Sequence, residues 1–512
     1  MHKFILTLLL FMGFAQMASA QREFANLELP LRQPEDLVSV ADDNGNVCLY
    51  FYQNNKLHFT LVSPTGEVLA QHEIPYRWNR DPQVLGTRVT DTDFIFYSRY
   101  ENGRRDYVRP FAINRKTGAF RSLQDVELDK ERNTYFVGGF GDDEHFYMLY
   151  TDRKDRLHLY RSSDSPEGLA KMERQIFEPN LPDTRTKDTR LMDLVYVHPD
   201  MEQTVVAGYH SGKIYSRDGN IYIIFDGQSL KDLNRKEATT EILALNWDTG
   251  KTTYRTLPAL EQRNDPSFNS FLFRDTLFRL QLDRDKLNLT AYNFNTLEPV
   301  KTYTFSGDQD IAIKSTPVYQ RGMRGLFASD VDTVKQTSKV MKKLAEGLPA
   351  ITVNAFTDST IQLTIGSYDP PGERNTSSDM SRMVRTPDQY YRTSRGLMMI
   401  PGRWVPAYNI PNYYLNSPYY SRYFYDPYGQ GGSRPSGPGI STYFRAVLDD
   451  NTLAKTDNGT KELVQDKVDK FEQELKSEPD YKTVYRYGNK LHYGYYDRKS
   501  KTFRIMEFAP GN

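Results

Sequence analysis

The stretch Ala244-Leu245-Asn246-Trp247-Asp248-Thr249-Gly250-Lys251 leads apolar residues into Asn or Asp, then Thr-Gly, then a new β-rich run. Asp and Asn side chains bond backbone groups two residues on, and Gly supplies the positive φ that closes a tight hairpin. Related turns stand at Ser63-Pro64-Thr65-Gly66, Asn114-Arg115-Lys116-Thr117-Gly118, Ser162 to Pro166, Asn293-Phe294-Asn295-Thr296, Asp449-Asp450-Asn451-Thr452 and Asp497-Arg498-Lys499-Ser500. Their Thr or Ser residues, Thr65, Thr117, Ser165, Thr249, Thr296, Thr452 and Ser500, lie 52, 48, 84, 47, 156 and 48 positions apart. Four of the six intervals fall between 47 and 52, and the two long ones coincide with stretches that read as insertions.

Short apolar runs fill each interval. In the first unit, Leu37 to Ala41, Val47 to Tyr52, Leu57 to Val62 and Glu67 to Ile74 alternate with turns at Asp42 to Gly45, Asn54-Asn55 and Ser63 to Gly66. Four short strands per period of this length are the pattern of a β-propeller blade. The sequence therefore predicts an all-β chain, a β-propeller of seven four-stranded blades, with residues 21–512 as one domain. At Asn114 to Gly118 and Trp247 to Gly250 the chain resembles the quinoprotein-like and WD40-like propeller repeats, whose hairpins often read Asp-x-x-Thr-Gly. The Trp that quinoprotein repeats place after the turn is missing, with three Trp in the chain. Their quinone is not carried over, and no cofactor is expected.

Insertions are expected at about 178–210, 330–347, 370–440 and 458–478. Val331, Val334, Met341 and Leu344 share a helical face in the second, and Val464, Val468, Phe471 and Leu475 share one in the fourth. The third is the richest in recognition residues. It carries Tyr390, Tyr391, Arg403, Trp404, Tyr413, Tyr414, Tyr419, Tyr420, Arg422 and Tyr423 among frequent Pro and Gly. Tyr and Arg offer large contact area with a polar tip, and these ten are the candidate binding residues. Gly429 to Gly439 is too poor in apolar residues to build a core.

His2 and Lys3, the apolar run Phe4 to Phe14, and Ala18-Ser19-Ala20 before Gln21 form a cleavable secretory leader, residues 1–20. No Cys stands near the cleavage site, so lipoprotein attachment is not expected. Removing the leader, which holds Lys3 and no acidic residue, leaves 65 basic against 66 acidic residues. That balance gives no general attraction to nucleic acid. Cys48, the single cysteine, allows no intramolecular disulfide and reads as a small core residue. The 36 Tyr and 28 Phe suit pleated faces.

No nucleophile elbow, His-Glu-x-x-His or phosphate-cradling loop occurs. Asp142-Asp143-Glu144-His145 reads as an acidic turn rather than a metal site, and Ser216 to Asn220 as a hairpin turn. His58, His158 and His492 recur beside Leu at the start of the third strand of a unit, and this recurrence at one blade position suggests a structural or surface role in the repeat. The expectation is an exported binding scaffold, periplasmic, at the cell surface or extracellular, with a protein or envelope component as partner and no membrane span. A carbohydrate-binding or glycan-active propeller is the alternative.

Overall fold

The structure, a computed structural model, describes residues 21–509 apart from 32–34, 77–82, 103–104, 143, 153, 155, 164–170, 180–193, 199–201, 228–238, 261–266, 308, 322–330, 335–336, 358, 370–382, 386–388, 394–395, 401–403, 407–439 and 476–479. The first strand, β1 (Gln21–Leu27), is set aside by the chain and used last. Sheet one follows as a meander of β2 (Glu35–Ala41), β3 (Val47–Gln53), β4 (Lys56–Val62) and β5 (Val68–Pro75). Sheet two has β6 (Gln83–Val89), β7 (Asp93–Asn102) and β8 (Arg105–Asn114), whose far edge pairs with both β9 (Phe120–Ser122) and β10 (Val126–Glu127). Sheet three runs β11 (Thr134–Gly141), β12 (Phe146–Asp152), β13 (Leu157–Ser162) and β14 (Met172–Phe177).

Sheet four adds β15 (Leu194–Tyr196), parallel to β16 (Gly212–Arg217), ahead of β17 (Asn220–Gly227), β18 (Thr239–Asn246) and β19 (Thr252–Thr256). Sheet five is a plain meander of β20 (Ser267–Phe273), β21 (Thr276–Leu282), β22 (Lys286–Asn293) and β23 (Pro299–Ser306). Sheet six departs from chain order. It contains β24 (Val318–Arg321), β25 (Val331–Val334), β26 (Leu348–Thr357) and β27 (Thr360–Asp369). Between β27 and the remaining strand of that sheet come β28 (Met383–Arg385), β29 (Gln389–Thr393), β30 (Gly396–Ile400) and β31 (Trp404–Pro406). That strand is β32 (Ile440–Asp449), and the order across the sheet is β26-β27-β32-β24-β25. The fourth position is thus filled by β24, from upstream. Sheet seven has β33 (Asp480–Tyr487), β34 (Lys490–Asp497) and β35 (Thr502–Phe508), and β1 pairs antiparallel with β35 to complete it.

These are seven sheets of four or five strands, not uniformly four. Strands at one edge of consecutive sheets touch: β33 with β2, β2 with β6, β6 with β11, β11 with β15, and β20 with β26. Apolar clusters fill the spaces between neighbouring sheets, as with Phe59 against Phe96 and Phe111, or Leu159 with Ile223 and Leu243. The arrangement is β-propeller-like. Strands such as β3 and β12 are buried along their whole length, which is why their sequences read as continuous apolar runs.

The turns at Asn114, Asn246, Asn293 and Asp449 share one geometry, Ser63 instead bonds the Thr65 N–H two residues on, and Ser162 to Pro166 runs out of the described residues. Asn246 Oδ1 accepts the Thr249 N–H (2.8 Å) and hydroxyl (2.7 Å), and Asn114, Asn293 and Asp449 accept the N–H three residues on at 2.9, 3.0 and 2.7 Å. The residue after the Thr or Ser has positive φ: Gly118 68°, Gly250 65°, Leu297 60°, Leu453 54° and Lys501 58°. Five of the turns also dock on the preceding sheet. Gly118 O takes a hydrogen bond from His72 Nε2 on β5 (2.6 Å), Asn295 O from Arg255 on β19 (2.8 Å), and Leu453 O from Tyr303 on β23 (2.5 Å). Trp247 lies under the Arg161 guanidinium of β13 at 4.3 Å, and Gly66 lies against the Phe24 carbonyl of β1.

The second expected insertion divides. Val331 and Val334 lie in β25, paired with β24, and the helix covers Thr337–Leu344 with Val340, Met341 and Leu344 buried. A β-branched pair next to an open sheet edge gains more from the ladder than from a helical turn. The helix Val464–Glu474 fills the junction between sheets six and seven. Val464, Val468 and Phe471 pack on Val484, Tyr493, Tyr495 and Phe508, while Asp466 pairs with Arg445 of β32.

Candidate functional site

In a meander sheet the first and third turns lie at one end and the second at the other. The Thr-Gly turns of sheets one, two, four and five are third turns and share an end with the docking contacts. The insertion between β27 and β32 is a second turn of sheet six and leaves from the opposite end, where Asn54-Asn55 and the β7–β8 turn also stand. Asp369 of β27 pairs with Ile440 of β32, so the chain departs and returns at adjacent ladder positions.

Inside the insertion, β29 pairs with β30 and β28 with β31. Both ladders keep one register, Met383 opposite Pro406 and Thr393 opposite Gly396, as in a single hairpin arm. Tyr390 stands opposite Met399, Tyr391 opposite Met398, and Trp404 opposite Arg385. The other candidate binding residues, Arg403, Tyr413, Tyr414, Tyr419, Tyr420, Arg422 and Tyr423, lie outside the described residues, as does the Gly-rich stretch 429–439.

On sheets one and two the same end carries an aromatic and ionic cluster. The Arg109 guanidinium lies 5.5 Å from the Tyr76 ring centre and 5.0 Å from that of Tyr100. It donates to Tyr76 Oη at 2.9 Å and forks onto Asp125, Nε to Oδ1 at 2.5 Å. Tyr100 donates to Asp125 Oδ2 (2.7 Å) and stacks on Tyr107 at 4.8 Å, and Tyr107 donates to Glu127 (3.1 Å). Burial and the bond to Asp125 push the Tyr100 phenol up to about 12. Burial raises the Asp125 carboxyl, but the bonds from Arg109 and Tyr100 outweigh it and hold it below the usual carboxylate range. With Arg105 donating to Glu127 at 3.1 Å, the cluster is pre-organised and charge-balanced. It offers half-buried Tyr rings for contact and no free nucleophile.

On sheet three, Glu131, Asp152 and His158 bring one ligand atom each within 4.8 Å of one another. Arg156 spans the two carboxylates, at 2.6 Å from Glu131 Oε2 and 2.7 Å from Asp152 Oδ2, and His158 Nε2 lies 3.2 Å from the same Asp152 oxygen. A guanidinium therefore already occupies the carboxylate oxygens that a cation would need. Asp142 has a turn role: its Oδ1 accepts from the Glu144 and His145 N–H groups at 3.0 and 2.7 Å, and its Oδ2 from Ser216 of sheet four at 3.0 Å. Asp143 lies outside the described residues.

The recurrent histidines are buried, and two of them repeat one device. His58 stacks on Phe51 at 4.5 Å and 5°, with Glu73 4.0 Å away; His492 stacks on Tyr485 at 4.6 Å and 5°, with Glu507 at 3.4 Å. Yet His58 is on the third strand of its sheet from β2, whereas His492 is on the second from β33. The local unit is shifted by one strand in sheet seven because β1 supplies the outer position.

Sequence reasoning missed Glu202, Arg109 and Asp226. Glu202 Oε2 accepts the Val464 N–H at the start of the 464–474 helix (2.7 Å), and burial raises its carboxyl despite Lys461 at 3.7 Å. Next to it, the Gln203 N–H donates to Asn354 Oδ1 at 2.7 Å, which holds residues 202–208 on β26. Asp226 is fully buried and its carboxyl raised by that burial, against Lys213; Thr240 and Ser270 bond it at 2.8 and 2.9 Å, joining sheets four and five. None of the three has a local signature. Their hydrogen bonds to Thr240, Asp125, Tyr76, Ser270 and Val464 span 14 to 262 positions of the chain.

No protein-family model matches the chain, and no curated protein matches it. Among solved structures it is similar to the WD40 domain of SCAP from fission yeast, at 10% identity over 65% of this chain and 83% of that one, with a TM-score of 0.29. An uncharacterized protein from Listeria monocytogenes matches at 11% identity over 67% and 82% of the two chains, with a TM-score of 0.27. A prolyl endopeptidase matches at 8% identity and a TM-score of 0.31 over 72% of this chain and 46% of its own. TM-scores of this size identify no family, and the propeller-like arrangement stands on the sheets themselves. Among the described residues no helix is long and apolar enough to cross a membrane.

Proposed function

We propose that the chain is an exported, seven-bladed β-propeller that serves as a binding scaffold, with a protein or cell-envelope component held by the Tyr/Arg-rich insertion. The observation that carries the reading is the way the insertion is mounted. Residues 370–439 leave and re-enter sheet six at a paired ladder position, Asp369 opposite Ile440, so the sheet is not disturbed by their length. Functional loops are commonly presented in this way by a rigid framework. The insertion holds ten Tyr, eight Arg and no Lys, and its eight basic against four acidic residues make it cationic on a body that is otherwise acidic. Arg forks and Tyr rings give specificity at interfaces at modest entropic cost.

Replacing residues 375–438 by a short Gly-Ser linker tests this. The variant should keep the thermal midpoint of the parent and lose its association with purified cell envelopes in a sedimentation assay. Equal association of both proteins would refute the role of the insertion.

A further inference from the structure

We propose that Gln21 is a modification site: once residues 1–20 are removed, its α-amine closes on its own side chain to give an N-terminal pyroglutamate. The inference rests on the export reading, because only cleavage after Ala20 exposes that amine. In the step, the α-amino nitrogen forms a bond to Cδ of the Gln21 carboxamide and the Cδ–Nε2 bond breaks. The amine's proton leaves with that nitrogen as ammonia. No oxidant, reductant or co-reactant is needed.

The structure places Gln21 where this closure is tolerated and useful. It is the first residue of β1, an edge strand bonded to β35 alone, and its partner Phe508 stands at the end of the ladder. Gln21, Arg22 and Glu23 are exposed, and β1 is anchored further along by buried Ala25 and Leu27. Among the described residues the Gln21 carboxamide makes no hydrogen bond that closure would break. The lactam ring restrains rotation about the N–Cα bond much as proline's ring does, and the first residue of an edge strand is where such a ring is accepted. The consequence bears on β1 as a whole. β1 is the strand that completes sheet seven, and the Gly66 turn of sheet one rests on its Phe24 carbonyl. A free amine at position 21 would let aminopeptidases shorten that strand from its exposed end, and the lactam removes their point of attachment.

The test is mass spectrometry of the N-terminal peptide from protein isolated from its own cells, with an isotope-labelled synthetic peptide starting at Gln21 added at lysis. The expected result is a native peptide starting at residue 21 and lighter by one ammonia, while the added peptide stays open. A native peptide starting at Gln21 with a free amine overturns the inference and leaves export intact. A chain still carrying residues 1–20 overturns both. A Gln21→Ser protein should lose residues from β1 to aminopeptidase at least tenfold faster than the parent; equal rates would show that the lactam does not protect the strand.

Discussion

Burial lowers the His492 imidazole to about 4, against the pull of Glu507, from 6.5 in the unfolded chain. Between these values the unfolded state holds the extra proton, so stability falls as pH drops from 6.5 to 4 and levels off below. Glu507, also depressed, acts in the same direction. Urea midpoints at pH 7 and pH 5 should therefore differ more in the parent than in His492→Phe, and equal differences would exclude the histidine as the source. Backbone strain makes a second prediction. Lys501 is exposed and held at φ 58°, so Lys501→Gly should stabilise by about 0.5–1 kcal/mol in urea unfolding. Gly66 has φ 85°, and a Cβ there would stand 2.2 Å from the Phe24 carbonyl oxygen. Gly66→Ala should cost about 2–3 kcal/mol in the same measurement. The sequence marked Gly66 and Ser500 as turn residues, but not which of them presses on another strand.

The Thr-Gly turn was legible as an element because its signal is local: at Asn114, Asn246, Asn293 and Asp449 an amide or carboxylate three residues before Thr, and a positive φ after it. Its role was not legible. Tyr303, Arg255 and His72 each reach a turn carbonyl of the following sheet, and nothing in their own neighbourhood announces it. Tyr303→Phe removes the bond to Leu453 O and keeps the ring, so it should lower stability by about 1 kcal/mol by thermal unfolding. A change below about 0.3 kcal/mol would mean that solvent replaces the latch fully. Helix periodicity misread Val331 and Val334, because β24 offered an edge that only the folded sheet brings near. The density of Tyr and Arg in 370–440 is a feature of composition, whereas the Arg109 cluster joins the residue after β5, β8 and the segment before β10 through hydrogen bonds and ring contacts that no local pattern announces.

For the molecule as a whole, the completion of sheet seven depends on seven residues. Deleting 21–27 removes the ladder to β35 and the buried Ala25 and Leu27, and should cost about 4–8 kcal/mol. A synthetic peptide of residues 21–31 added in trans should restore part of the loss in a thermal shift assay, and no recovery would argue against strand addition as the closing step. The chain alone determined the all-β class and the spacing of the hairpins, because each follows from short-range patterns of apolar residues and Gly. Tertiary structure decided that β24 fills the fourth place of sheet six, that β1 fills that of sheet seven, and that the histidine unit there is offset by one strand. Those outcomes are backbone pairings between segments more than a hundred residues apart, and any exposed strand edge can accept any strand. Only the competition among edges in the folded molecule settles which one does.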